Sequence, residues 1–394
     1  LGYCRINLCG FIPGREMMSP ESGRQCVPFW LRRPLLLVKG FKVDRDDPDL
    51  AALSALQPAE SFVWGVLPHA ARSFAPCILA LPSSMALTAA LGYLYCRILD
   101  THEDLILDLN ERRDAIRHVS YRLKALRDGE LSEEPPLATH QCKDPRDEVH
   151  ALIAHELPRL DPLFIGLGID VQELIIDLVD DMAEGMLWGA DAFEGQEGVL
   201  DGDPQVRRYC EAVLGNPIRF AARLFALTER GVGELPHELE SACMDVGEYL
   251  QLANVTRDIE KDLNRGVAYD IRLNPFLHGR GEGDQEGVVR VVRLELMMRA
   301  LKRAPSYLTL IEGLDLRRGW MGVSAIIMAR FTERYYLGCS NRVGVATPAQ
   351  DSAAKVLISS WPALVSVKWT RRRLLRLDGQ LADLLTKAAE ISPQ

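Results

Sequence analysis

No stretch of about 18 or more uninterrupted apolar residues occurs in the chain, so no membrane-spanning helix is expected. There is no excess of basic charge. The formal net charge is −9 and the pI is near 5.5, which removes any global electrostatic case for nucleic acid. An acidic protein can still hold an anionic substrate if cations or basic side chains line the site. None of the nine cysteines forms a CxxC pair, so zinc and redox readings have little support. A reducing, cytoplasmic setting is expected. Alternating strand patterns are scarce, and no repeat of about 20–50 residues is evident. No Gly-rich dinucleotide fingerprint is visible, and the N-terminus lacks the layout of a secretory signal.

What remains is helical. Apolar residues make up 47% and charged residues 26%, ordinary for a globular protein with room for an internal cavity. Residues 1–50 mix Gly, Pro, Cys and Arg without a steady period and are expected to be a poorly structured extension; Met17 and Met18 inside it could serve as initiators. From residue 51 to 394 a single all-α domain is expected. Helical spacing covers 85–104, 109–128, 147–160, 170–188, 205–230, 236–264, 289–302, 307–314 and 322–337. A last helix, about 349–389, should break near Pro362. Residues 189–204 and 275–288 read as loops.

Two acidic clusters fall on these helices. Asp100, Glu103 and Asp104 lie in DTHED, and Asn254, Asp258 and Asp262 lie in NVTRDIEKD. Residues three and four apart share a helix face, so each set can converge. Mg²⁺ takes carboxylate, water and phosphate oxygens. Two such faces opposed across a cavity would hold Mg²⁺, and Mg²⁺ would hold a diphosphate. Each cluster alone reads equally well as a solvated acidic face. His102 points away from the acids and is read as a surface or packing residue. Asp177, Asp180, Asp181 and Glu184 form a further acidic face, read as solvated.

The segment RSFAPCILALPSSMALTAALGYLYCRILDTHED resembles the squalene/phytoene synthase family, the head-to-head prenyl transferases. The matching elements are Arg72–Ser73–Phe74, Tyr93, Arg97 and the acids from Asp100 to Asp104. A second segment is similar to that family's QxxNxxRDxxEDxxxGRxY motif through Gln251, Asn254, Arg257, Asp258, Asp262, Gly266 and Tyr269. A third, RRYCEAVLGNPIRF, resembles its YCxYVAGxVG helix through Tyr209, Cys210, Val213 and Gly215; Ala212, Leu214 and Pro217 depart from it. In the second motif Lys261 stands where an acid is usual and Val267 where an Arg is usual, and a Pro common after the aromatic is missing.

The resemblance implies an isoprenoid-synthase-type helical bundle around a central cavity. It implies metal ligation by Asp100, Glu103, Asp104, Asp258 and Asp262. Substrate binding would fall to Arg72, Ser73, Phe74, Arg97, Gln251, Asn254 and Arg257, with Arg257 contacting diphosphate directly. Tyr209 and Tyr93, with Asp100 and Asp104, would be the catalytic groups. The implied reaction is Mg²⁺-dependent condensation of two prenyl diphosphates, farnesyl or geranylgeranyl, through a cyclopropylcarbinyl diphosphate. NADPH use stays open, since only some family products need it. Two alternatives also stay open: ionisation of a single prenyl diphosphate, as in class I terpene synthases, and a non-catalytic assembly protein on the same fold. Peripheral contact with an anionic bilayer is a further option for the basic stretch 369–377, WTRRRLLRL, against an ordinary solvated face.

Overall fold

A computed structural model describes residues 29–44, 46–71, 73–130, 140–279, 283–316, 319–345 and 350–391. Residues 1–28 of the expected extension lie outside them. The helices in order are α1 (Phe29–Lys42), α2 (Leu50–Ser54), α3 (Ala59–Ala71), α4 (Phe74–Leu79), α5 (Ser83–Leu105), α6 (Leu109–Arg127), α7 (Pro145–His155), α8 (Asp161–Ile165) and α9 (Ile169–Gly195). Then come α10 (Gly202–Cys210), α11 (Asn216–Arg230), α12 (His237–Arg265), α13 (Gln285–Arg303), α14 (Pro305–Gly313), α15 (Gly319–Arg342), α16 (Ala353–Ile358) and α17 (Val367–Ile391). The described residues contain no strand, only an isolated bridge between Val199 and Ala268.

The two helices that carry the acidic clusters are central. α12 packs against α11, α13, α14 and α15, and it buries side chains from Leu239 to Leu263 nearly all round. A helix apolar on most sides belongs in a core. α5 is similarly wrapped, by α3, α7, α9 and α11. Its Ala- and Leu-rich middle explains that: Ala86, Ala90, Leu91, Leu94 and Leu99 are fully buried. Polar residues set the ends. Asp108 caps α6 by accepting from the Glu111 amide at 2.8 Å, and Asp144 caps α7 just before Pro145. Gly266 closes α12 in the left-handed region at φ 83°, where a Cβ would sit 2.1 Å from the His278 ring.

Several local expectations change. α1 forms inside the segment expected to be poorly structured, because Arg33 donates to the Leu81 carbonyl at 2.6 Å and its guanidinium stacks on Trp320. α9 continues to Gly195 through the Gly189 expected to start a loop. Gly189 serves close packing there, since a Cβ would lie 3.4 Å from the Tyr209 ring. Residues 205–230 are continuous but contain a π turn at Glu211–Gly215. Pro217 has no amide to return to the Val213 carbonyl, which favours the wider register. On the acidic face of α9, Glu184 is exposed and the other three acids are ion-paired. Asp177 meets Arg223 at 2.9 Å, Asp180 meets Lys124 at 2.7 Å, and Asp181 pairs with Arg219. The final helices break around Pro362, into α16, a 3₁₀ turn at Trp361–Leu364, and α17.

Candidate active site

α5 and α12 bring their acidic faces to one cleft of about 1080 Å³, lined by Glu103 and Asp104 from one and by Asp258 and Asp262 from the other. Arg112, Lys143 and Arg265 also line it. The cleft opens onto an apolar cavity of about 430 Å³ and shares Glu103, Asp104, Tyr209, Gln251, Asn254 and Asp258 with it. α5 runs along this cavity. Its C-terminal end supplies Arg97, Asp100, Glu103 and Asp104, while Ala89, Gly92 and, just before the helix, Leu81 line the other end. Leu178, Met182, Phe220 and Met328 complete much of the apolar wall.

Hydrogen bonds hold the polar end. The Tyr93 hydroxyl donates to the Ala70 carbonyl at 3.0 Å and accepts from Arg97 at 3.0 Å. Arg97 also pairs with Asp100 at 3.1 Å. The Asn254 amide donates to Gln251 at 3.2 Å. Arg265 reaches across the cleft to Asp104 at 3.4 Å, linking the two clusters. Tyr209, Tyr269 and Phe193 form a ring trio with centroids 5.6–5.9 Å apart at the junction of cleft and cavity.

The acids repel one another. Burial, with Asp104 adding to it and Arg97 opposing, pushes Asp100 up to about 6. Burial and its two acidic neighbours push Glu103 up to about 8. Burial and Asp258 push Asp262 up to about 7. Burial also pushes on Asp258, but hydrogen bonds and charge from Arg257 outweigh it and hold that group below the usual range. Each raised group binds its proton more tightly folded than unfolded. Its stabilising contribution is full below the unfolded value and is lost as pH climbs through the folded one. For the metal-free protein, Tm should fall as pH rises from about 5 to about 8, the span set by these three groups. Added Mg²⁺ should reverse most of that fall at the upper end. Thermal melts in chelator and in Mg²⁺ across this range are the check.

Among the described residues no three His, Cys, Asp or Glu side chains are already gathered tightly enough to hold a metal ion. The donor set nevertheless suits one. It is all hard carboxylate oxygen, and its repulsion, only partly offset by Arg97, Arg257 and Arg265, is one a divalent cation would relieve.

Not every expected residue faces the cleft. Arg72 lies outside the described residues. Ser73 accepts from the Tyr335 hydroxyl at 3.0 Å on the far side of Phe74, which does line the apolar cavity. Arg257, expected to contact diphosphate directly, lines neither the cleft nor the apolar cavity. It sits one residue, about 100° of helix, from Asp258. Its guanidinium pairs with Asp258, lies 4.8 Å over the Tyr335 ring, and faces a separate cavity of about 540 Å³ with Arg334 and Arg342. Lys261 is exposed and lines none of these spaces, so its charge acts on Asp258 and Asp262 only from outside. His102 turns away from the acids and stacks on His140, with Nδ1 3.1 Å from that ring's Nε2. Arg265 was the residue the motif reading missed. It sits three residues after Asp262 and seven after Asp258, so helical spacing already placed it on their face.

An all-α bundle in which two helices oppose carboxylates at the mouth of an apolar cavity defines a class: the isoprenoid-synthase type. The squalene/phytoene synthase family model matches residues 67–269, just over half of the chain and inclusive of both acidic helices. The chain belongs to the squalene/phytoene synthase family. It is 26% identical over 202 residues to a squalene synthase of Schizosaccharomyces pombe, covering 51% of this chain and 42% of that protein. It is 28% identical over 228 residues to the Botryococcus squalene synthase of Botryococcus braunii, covering 55% and 43%. These matches span less than half the length of those relatives. In fold, the chain is similar to a solved TcSQS complex with the ligand BPH1237, at a TM-score of 0.60 and 16% identity, covering 85% of this chain and 99% of that one. Among the described residues no helix is long and apolar enough to cross a membrane.

Proposed function

We propose that this chain is a transferase that condenses two prenyl diphosphates head to head, through a cyclopropylcarbinyl diphosphate, to a squalene- or phytoene-type product. The observation that carries the reading is the continuity of the carboxylate cleft with the apolar cavity, since a prenyl diphosphate has one end for each. Asp100, Glu103 and Asp104 with Asp258 and Asp262 would hold Mg²⁺. When bound, Mg²⁺ supplies charge withdrawal from the leaving diphosphate. Arg265, Lys143 and Arg112 add fixed positive charge to the same cleft. The rings of Tyr209, Tyr269 and Phe193 face the point where an allylic cation would form and stabilise it through their π faces. Burial holds the Tyr209 phenol far above its ordinary pKa, so it keeps its proton and acts as a donor, not as a base. The apolar walls keep water from the cation.

The test is incubation with farnesyl or geranylgeranyl diphosphate and Mg²⁺, with and without NADPH, followed by product mass analysis. A C30 or C40 hydrocarbon supports the reading. A product from a single prenyl unit moves the chain to terpene-synthase chemistry, and no diphosphate release at all makes it a non-catalytic relative. The NADPH arm separates a hydride-terminated product from one that needs none.

Arg265 gives a sharper prediction. Its side chain lies on the face of Asp258 and Asp262, whereas position 267, where the family motif carries its Arg, is Val here. Arg265→Ala should raise KM by about tenfold with a smaller change in kcat, as for loss of one charge-assisted phosphate contact. Moving the charge, by Arg265→Val with Val267→Arg, should recover most of that loss. Steady-state kinetics on the three proteins decides it.

A further inference from the structure

The C-terminal region holds a surface that this chemistry does not use. Residues 352–377 contain no Asp or Glu and six basic residues, Lys355, Lys368, Arg371, Arg372, Arg373 and Arg376, in a chain whose net charge is −9. The same region exposes large apolar side chains at the turn between α16 and α17: Ile358 is 73% exposed, Trp361 52% and Val365 86%. On α17, Thr370 and Leu374 turn inward and are buried, while Lys368, Arg372, Leu375 and Arg376 share the outward side. The basic stretch 369–377 is thus not a free amphipathic helix. Most of its apolar side is spent on packing against α13, α14 and α15, and the apolar side chains left outside are Leu375 and those around the preceding turn.

That turn also sits behind the apolar cavity. Trp361 meets Trp320 edge-on at 6.3 Å, and Trp320 is stacked by Arg33, which also donates to the carbonyl of Leu81. Leu81 and Met321, the neighbour of Trp320, line the cavity at the end away from the acids.

We propose that the turn at Trp361 and the outer side of α17 form a docking surface for an anionic lipid bilayer. Two observations favour a bilayer over an acidic protein. An exposed Trp with aliphatic neighbours inserts into headgroups; Lys355, Arg371 and Arg373 pair with Asp351, Glu312 and Glu333, and the exposed Lys368, Arg372 and Arg376 are left to be drawn to anionic lipid at about 1 kcal/mol each. The surface also adjoins the end of the cavity that takes apolar chains, so a docked protein would hold that end against lipid.

The experiment is co-sedimentation of the full chain with vesicles of phosphatidylcholine alone or mixed with phosphatidylglycerol, at low and high salt. The expected result is binding to the mixed vesicles that weakens with salt. It should fall by about tenfold or more in Lys368→Glu with Arg372→Glu, and also in Trp361→Ser with Val365→Ser. Melting curves establish that these variants fold. As a second readout, brominated lipid should quench tryptophan fluorescence in the native chain and much less in Trp361→Phe. The proposal is overturned if the native chain does not sediment, if neutral and anionic vesicles bind it equally, or if neither pair of substitutions matters. It is also overturned if the chain is a dimer that both pairs dissociate. None of these readouts involves catalysis, so the outcome stands apart from that of the proposed reaction.

Discussion

Asp262→Asn is expected to cost at least ~10³-fold in kcat/KM, about 4 kcal/mol of transition-state stabilisation, and yet to raise the melting temperature of the metal-free protein. The two effects have one cause. Asp262 is half-buried beside Asp258 and near Asp104, and its proton affinity is raised accordingly. Without a cation it is an unfavourable charge, and an isosteric amide removes the repulsion while keeping the shape. In the proposed reaction it would be a metal ligand, and an amide oxygen without charge would be a poor substitute. Asp258→Asn should behave differently in the stability assay. That carboxylate is held ionised by hydrogen bonds from Arg257, so its loss also breaks a pair and should lower the melting temperature. Opposite signs in stability with the same sign in activity would identify a functional acidic cluster. A merely solvated face would give small changes in both. The measurement is a pair of thermal melts in chelator, alongside diphosphate release with Mg²⁺.

Much of this site was legible because helical periodicity converts spacing into direction. Asp100 with Asp104, and Asp258 with Asp262, had to share faces once their segments were helical, and the apolar periods of α5 and α12 made that reading strong. Direction relative to a partner helix is another matter. Arg257 is adjacent in sequence to Asp258 but faces a different cavity, because each residue turns the helix by about 100° and only packing decides which side is the cleft. The acidic face of α9 looked solvated for the same reason. Its partners Arg219, Arg223 and Lys124 come from α11 and α6, and nothing local announces them. Gly189 misled in another way. Glycine marks a loop when it supplies an unusual φ, but here it supplies room for Tyr209. Arg265 is legible by its spacing from Asp258 and Asp262, but the family motif carries its Arg after Gly266, where this chain has Val267. α1 was hidden by Pro34 and by the absence of a steady period; its ordering depends on a carbonyl 48 residues away.

Gly247→Ala should do the most damage to the scaffold for the smallest change in atoms. An alanine Cβ there would lie 2.3 Å from the Cα and amide nitrogen of Gly215 and 2.8 Å from the Leu214 carbonyl carbon. All three are backbone atoms, so no side chain can rotate out of the way. α12 crosses the π turn at a glycine-to-glycine contact, and a methyl group would have to push the two apart. Overpacking of this kind costs about 1–3 kcal/mol and occasionally more. The site should suffer beyond the stability loss. Gln251 and Asn254 lie one and two turns further along α12, and Tyr209 lies just before the π turn, so the separation falls across the junction of cleft and cavity. In the proposed reaction, a displaced Tyr209 ring would leave the allylic cation less well covered. Diphosphate release should then be slowed, and part of it should end in prenyl alcohol from water capture in place of condensed product. Gly379→Ala is the control: it is exposed on α17 with nothing within 4 Å of the new Cβ, and it should stabilise by up to about 1 kcal/mol through helix propensity alone. If Gly247→Ala instead melts and reacts like that control, α12 and the π turn are not locked at this contact, and the placement of Tyr209 over the cleft would need another cause.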